Sequence, residues 1–260
     1  MSTVRVRLHG NSSTASSGTT ADSTNRHLET QLIAFSPISN TLSTISSTDS
    51  SSRPLRGLLD STYSIDSTHI EAIQHNEAAS WNYDPTAEEY YYGFGCTIVS
   101  TGAKIPIAAE FTQTKRADQE TAMRVTCDAL AVDTPIWMLG DSAYDILDWH
   151  DHLLAAGVVP IAPYNPRNTD DPKNIEYRVE DRIEEHSEDI QLKQSILDET
   201  YNNRTGVERT NDAVKDCGLG HVRARGRVHA RTEVFVTLCL RLVVAITNYE
   251  RGSNPGCEKL

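Results

Sequence analysis

Tyr201, Arg204, Glu208 and Lys215 are spaced so that a single α-helix would carry all four on one stripe. At 100° per residue they fall within an arc of about 60°. One carboxylate, two cations and a phenol sharing a stripe do not suit a hydrophobic core. They suit a metal ligand flanked by phosphate contacts. The competing reading is a solvated face on which Arg204 and Glu208, at i and i+4, form an ordinary ion pair. Downstream comes the one basic concentration in the chain, Lys215, Arg223, Arg225, Arg227 and Arg231 with His221 and His229. Such a run is commonly no more than a solvated face. Beside a metal-binding glutamate in an otherwise acidic chain, it points to phosphate binding and so to nucleic acid.

The pattern Y-(2)-R-(3)-E-(6)-K, carried here by YNNRTGVERTNDAVK, resembles the signature of a large group of insertion-sequence DDE transposases. The resemblance implies two further catalytic aspartates, one on the first strand and one after the fourth. SIDSTHIEA supplies Asp66 on the first predicted strand, and WMLGDSAYD supplies Asp141 directly after the apolar run 136–139. The DxxYD arrangement is also similar to the family's second motif. Taken singly, Asp66 reads as a strand-end or turn aspartate and Asp141 as a helix N-cap, while Asp145 is the rival for the second position. Three convergent carboxylates repel one another unless cations bind between them, and hard oxygen ligands favour Mg²⁺ or Mn²⁺. Two such ions, about 3.5–4 Å apart, suit an in-line phosphoryl transfer. Asp66 is then expected to bridge them, with Asp141 and Glu208 each completing one metal site. The resemblance further implies that Tyr201, Arg204 and Lys215 hold the DNA backbone; the basic run by its charge adds Arg223, Arg225 and Arg227 as expected phosphate contacts.

The implied activity is strand cleavage and strand transfer on double-stranded DNA, at element ends and target, by a homodimer in a synaptic complex. A nuclease without strand transfer would use the same carboxylates, and a silent remnant would bind DNA without cutting it.

The elements that must position these residues are legible from about residue 55. Residues 63–70, 89–99 and 104–112 read as a three-stranded meander. Residues 118–130, with Ala122, Val125 and Ala129 at helical spacing, read as an amphipathic helix, followed by a short buried strand at 136–139. A helix bearing Ile146, Leu147, Leu153 and Leu154 stops at Gly157, and 158–162 is another buried strand. A Pro- and charge-rich loop, a long helical region ending near Cys217 and a last apolar helix over 232–249 complete the pattern. The order β-β-β-α-β-α-β-α resembles the RNase H-like fold, a mixed α/β sheet flanked by helices. Three regions are expected: a Ser/Thr-rich disordered segment over 1–54, the catalytic domain over 55–251, and a flexible tail over 252–260. Asp141 and Glu208 are only 67 positions apart, too close for the large β insertion of some family members. The front departs from the family, whose members commonly carry an N-terminal helical region that binds terminal repeats, whereas 1–52 contain 23 Ser or Thr.

Bulk composition fits a globular chain of 260 residues with 23% charged residues. Five scattered cysteines form no CxxC pair, so neither a disulfide framework nor a zinc site is expected. The apolar stretch 234–246 is too short to span a bilayer and contains Arg241, which points to a cytoplasmic protein. Net charge is −12, with 9 basic and 26 acidic residues over 61–200 but 10 and 6 over 201–260. Acidic surplus with 18 Arg and 6 Lys suggests adaptation to high salt. Coulombic attraction is screened within a few Å there, so an acidic surface is less damaging to DNA binding.

Overall fold

The computed structural model describes residues 58–84, 88–113, 118–163, 165, 199–202, 211–212 and 214–257. It is a mixed α/β structure built around one sheet. The central strand is β1 (Thr62–Ala72), which pairs antiparallel with β3 (Glu89–Thr101) along nearly its whole length, from Tyr63 opposite Thr101 to Glu71 opposite Gly93. Two strands share the far edge of β3: β2 (Ser80–Asp84) pairs with its first half, and β4 (Pro106–Thr112) with its second. On the other side of β1 lie the parallel strands β5 (Trp137–Leu139) and β6 (Val159–Ile161). A two-residue strand β7 (His221–Val222) pairs parallel with the end of β1.

Three α-helices flank these strands among the described elements, α1 (Asp118–Leu130), α2 (Leu147–Ala155) and α3 (Arg227–Glu250), with two shorter helical turns between them. The expected positions of α1, α2, β5 and β6 follow from apolar periodicity, and their core residues Ala122, Val125, Ala129, Met138, Leu139, Leu153 and Ile161 are buried. Trp149 of α2 donates its indole N–H to Thr126 Oγ1 of α1 at 2.9 Å, joining the two helices. Gly157 ends α2 at φ 78°, a conformation that favours glycine.

Two expectations need correction. Four strands, not three, precede the first helix, because β2 is an additional hairpin strand. Its sequence SWNYD is short and polar, and Trp81 and Tyr83 are exposed, so it gave no buried-strand signal. The last helix begins at Arg227, five residues before the expected Thr232, since its first turn is basic and solvated rather than apolar. The expected segment 1–54 lies outside the described residues, as does most of the expected long helical region. What is described there includes a π-helical turn, Lys215–Leu219, in which Gly218 adopts φ 109°.

Arg241 is fully buried in the middle of α3. It donates to the carbonyl of Pro255 at 3.1 Å, and Asn248 donates to that of Cys257 at 3.2 Å, so the last described residues run back along the helix. Among the described residues no helix is long and apolar enough to cross a membrane.

Candidate active site at the ends of β1 and β5

Because β1 and β5 run parallel and pair as Thr62 with Trp137, Tyr63 with Met138 and Ser64 with Leu139, both chains leave the paired region at the same level. Asp66 and Asp141 each follow the last pair by two positions. Asp66 is half-buried. Its Oδ1 accepts from the backbone N–H of Ser67 at 2.8 Å, and its Oδ2 accepts from the side-chain amide of Asn211 at 2.7 Å.

Strand alternation turns Ser67 to the opposite face from Asp66. There its hydroxyl lies 2.8 Å from Thr97 Oγ1 and 3.1 Å from the Tyr144 hydroxyl, and Thr97 continues the chain to Thr121 of α1 at 3.0 Å. Asp66 thus sits on a strand braced from behind by hydroxyl groups of three other elements.

Asp141 caps a short 3-10 turn, Ser142–Tyr144, by accepting from Ala143 N–H at 2.8 Å. The turn folds Tyr144 back into the core, and Gly140 makes that possible: a Cβ there would come within 2.7 Å of Tyr144 Cβ. The DxxYD run therefore divides its labour. Asp141 caps at the strand end, Tyr144 reaches behind Asp66, and Asp145 is buried. Asp145 accepts from Asn165 N–H at 2.9 Å and lies 3.6 Å from His150 Nε2. A carboxylate so enclosed is a poor candidate for an open metal site.

Glu208 and Arg204 lie outside the described residues, so Glu208 is not seen to join the two aspartates. The residues on either side of that stretch are described. Tyr201 packs against the buried pair Leu139 and Ile161 of β5 and β6, and Asn211, three residues beyond Glu208, reaches Asp66. Lys215 is half-buried in the π-helical turn. Among the described residues no three His, Cys, Asp or Glu side chains group closely enough to hold a metal ion.

The basic stretch runs from the π-helical turn through the loop between β7 and α3 into the first turns of α3. Arg223, Arg225 and Arg227 are exposed, and among the described residues none has a side-chain ion pair. The loop backbone is held tightly. Glu233 accepts from Arg223 N–H and Ala224 N–H at 3.1 and 2.8 Å. Asn76 donates to Ala224 carbonyl and accepts from Gly226 N–H, both at 3.0 Å. Arg231 lies over the Phe235 ring at 5.5 Å, and burial, followed by the nearby Arg227 charge, lowers its pKa.

Asn76 had no sequence signal, and Asn211, three positions after Glu208, had only its helical spacing beside the Tyr201–Lys215 stripe. Their partners are 148 to 150 and 145 positions away, and an isolated Asn in a loop or helix is the commonest of bland residues.

Residues 57–243 match the transposase DDE domain family. Two curated relatives, from two strains of Halobacterium salinarum, are described as probable transposases for insertion sequence element ISH11; each is 78% identical over 202 residues. The match covers 78% of this chain and 61% of each relative, so the chain spans under two thirds of their length. A solved structure of a piggyBac transposase synaptic complex with hairpin DNA is 11% identical with a TM-score of 0.48, over 79% of this chain and 54% of that one.

Proposed function

The chain belongs to the transposase DDE domain family, and from that premise we propose that it is a metal-dependent DNA transposase, cleaving and rejoining strands at the ends of an insertion sequence. The observation that carries this reading is the level exit of β1 and β5, which brings Asp66 and Asp141 to one sheet end, with Asn211 tying the chain just after Glu208 to Asp66. We read the sheet as RNase H-like, with β3 and β4 on one side of β1, β5 and β6 on the other, and β2 and β7 added.

The donor set fits a hard divalent cation. Carboxylates of Asp66, Asp141 and Glu208 would hold Mg²⁺ or Mn²⁺, two ions in all. The buried Asn211 Oδ1 has no partner among the described residues, a further oxygen facing no proton donor beside Asp66. When bound, such ions supply Lewis-acid activation of the attacking oxygen and charge stabilisation of the leaving one. The protein's own part is positional. The braced β1 strand fixes Asp66, the capped turn fixes Asp141, and Tyr201, Arg204 and Lys215 with Arg223, Arg225 and Arg227 would hold phosphates in line with the carboxylates. The substrate is double-stranded DNA in the cytoplasm, both element end and target, and joining two ends calls for a dimeric synaptic complex.

The test uses purified protein in molar KCl with Mn²⁺ and DNA bearing the terminal repeats that flank its gene, against Asp66→Ala. Joined products that vanish in the variant are expected. Cleavage without joining would favour a nuclease, and binding with neither would remove the catalytic reading.

A further inference from the structure

Outside the carboxylate site, the β2–β3 hairpin carries an aromatic surface that the packing of the described residues does not explain. Trp81 is directly opposite Tyr92 and Tyr83 opposite Tyr90 in the antiparallel register, so all four rings stand on one face. The pairs are in contact, with ring centroids 5.4 Å and 5.1 Å apart. Yet Trp81 is 70%, Tyr83 47% and Tyr90 72% exposed. Large rings pack inward where a core can take them, and here they line the outside of an acidic protein.

The base of this hairpin is joined to the arginine loop through one residue. Tyr92 donates its hydroxyl to the Asn76 carbonyl at 2.7 Å, and the fully buried Asn76 side chain grips the loop at Ala224 and Gly226. The aromatic face and the exposed Arg223, Arg225 and Arg227 are thus fixed relative to each other. One end offers π-faces, the other exposed positive charge.

We propose that this surface takes an unpaired stretch of DNA strand, its bases stacked on Trp81, Tyr83, Tyr90 and Tyr92 and its phosphates on the arginine loop. The proposal rests on the transposase reading and adds to it a site for single-stranded DNA apart from the carboxylates. Charge argues for this occupant and this polarity. The exposed Glu88 and Glu89 stand at the hairpin tip, so phosphates run toward the arginine end while bases supply the contact along the rings. Stacking has a further merit for a chain of net charge −12. Phosphate contacts lose affinity steeply as salt rises, whereas stacking on rings needs no Coulombic attraction and tolerates any base.

The experiment measures affinity by fluorescence anisotropy in molar KCl for a blunt duplex and for the same duplex with an unpaired thymine tail carrying one 2-aminopurine. Wild type is expected to bind the tailed duplex about ten-fold tighter and to quench the 2-aminopurine. The double variant Trp81→Ala with Tyr90→Ala should lose both effects and bind the blunt duplex as before, while Trp81→Phe with Tyr90→Phe keeps them. Both side chains are exposed, and circular dichroism verifies that the variants fold. Equal affinity for the two duplexes in wild type, or a tail advantage that survives the alanines, overturns the proposal and leaves the transposase reading standing. Failure to bind either duplex overturns both.

Discussion

Asp141 holds two positions at once, strand end and turn cap, and the two can be separated by chemistry. Asparagine caps as well as aspartate does but carries no charge and binds cations weakly. Asp141→Asn should therefore keep its bond to Ala143 and leave the thermal midpoint nearly unchanged, while Asp141→Ala loses ~1 kcal/mol of stability. Both should lower Mn²⁺-dependent cleavage at least about a hundred-fold, a loss of ~3 kcal/mol in transition-state stabilisation. Denaturant titration of the three proteins beside a cleavage assay checks this. Cleavage retained by Asp141→Asn would mean that the residue serves the turn alone. Sequence alone left Asp141 and Asp145 as alternatives because both sit in one DxxYD run. Their surroundings differ: Asp145 is 2% exposed and engaged by Asn165 N–H, whereas Asp141 stands half-exposed where the strand ends, the setting that the proposed metal site asks for.

Among the elements, the sheet depends on how closely β1 and β3 approach. Gly93 pairs with Glu71 of β1 on one side and Ser80 of β2 on the other, and a Cβ there would collide with the Ile70 carbonyl oxygen. Because the obstacle is backbone, it cannot rotate away. Gly93→Ala is expected to cost ~3 kcal/mol or more, at the upper end of overpacking effects, read as lost soluble yield and a lower denaturation midpoint. An unchanged midpoint would mean that the hairpin shifts freely on β1. What could be read in the sequence follows the same division. Helix α1 and strands β5 and β6 bury their apolar residues in period, so Val125, Met138 and Ile161 announced them. Strand β2 and the first turn of α3 are exposed, and residues that face water carry no periodic signal. The braces were invisible for another reason. Ser67, Thr97, Asn76 and Asn211 are common residues whose meaning comes mainly from partners far away in the chain, and Tyr144, though part of the DxxYD run, gave no sign there of its contact with Ser67.

At the scale of the whole molecule, 36 acidic against 24 basic residues make compaction itself an electrostatic cost. Packing charges of one sign closer together favours protonated carboxylates in the folded state. Burial acts in the same direction at Asp60 and Asp128, whose pKa values are raised above the ordinary 3.8 chiefly by desolvation. A carboxylate with a raised folded pKa binds its proton more tightly when folded, so its contribution to stability is greatest below 3.8 and is lost as pH rises through the folded value. Salt screens the collective part of this effect, since the Debye length falls to about 3 Å near molar ionic strength. Desolvation at these two half-buried sites is not screened. Thermal melts should therefore show a midpoint that climbs steeply with KCl at neutral pH. At low salt the midpoint should also climb as pH is lowered from neutral toward the carboxylate range, and in molar KCl that pH dependence should shrink to the small residue left by Asp60 and Asp128. A midpoint indifferent to salt at neutral pH would mean that the acidic surface is not an adaptation to high salt, and that DNA binding by the arginine loop must work against an unscreened field.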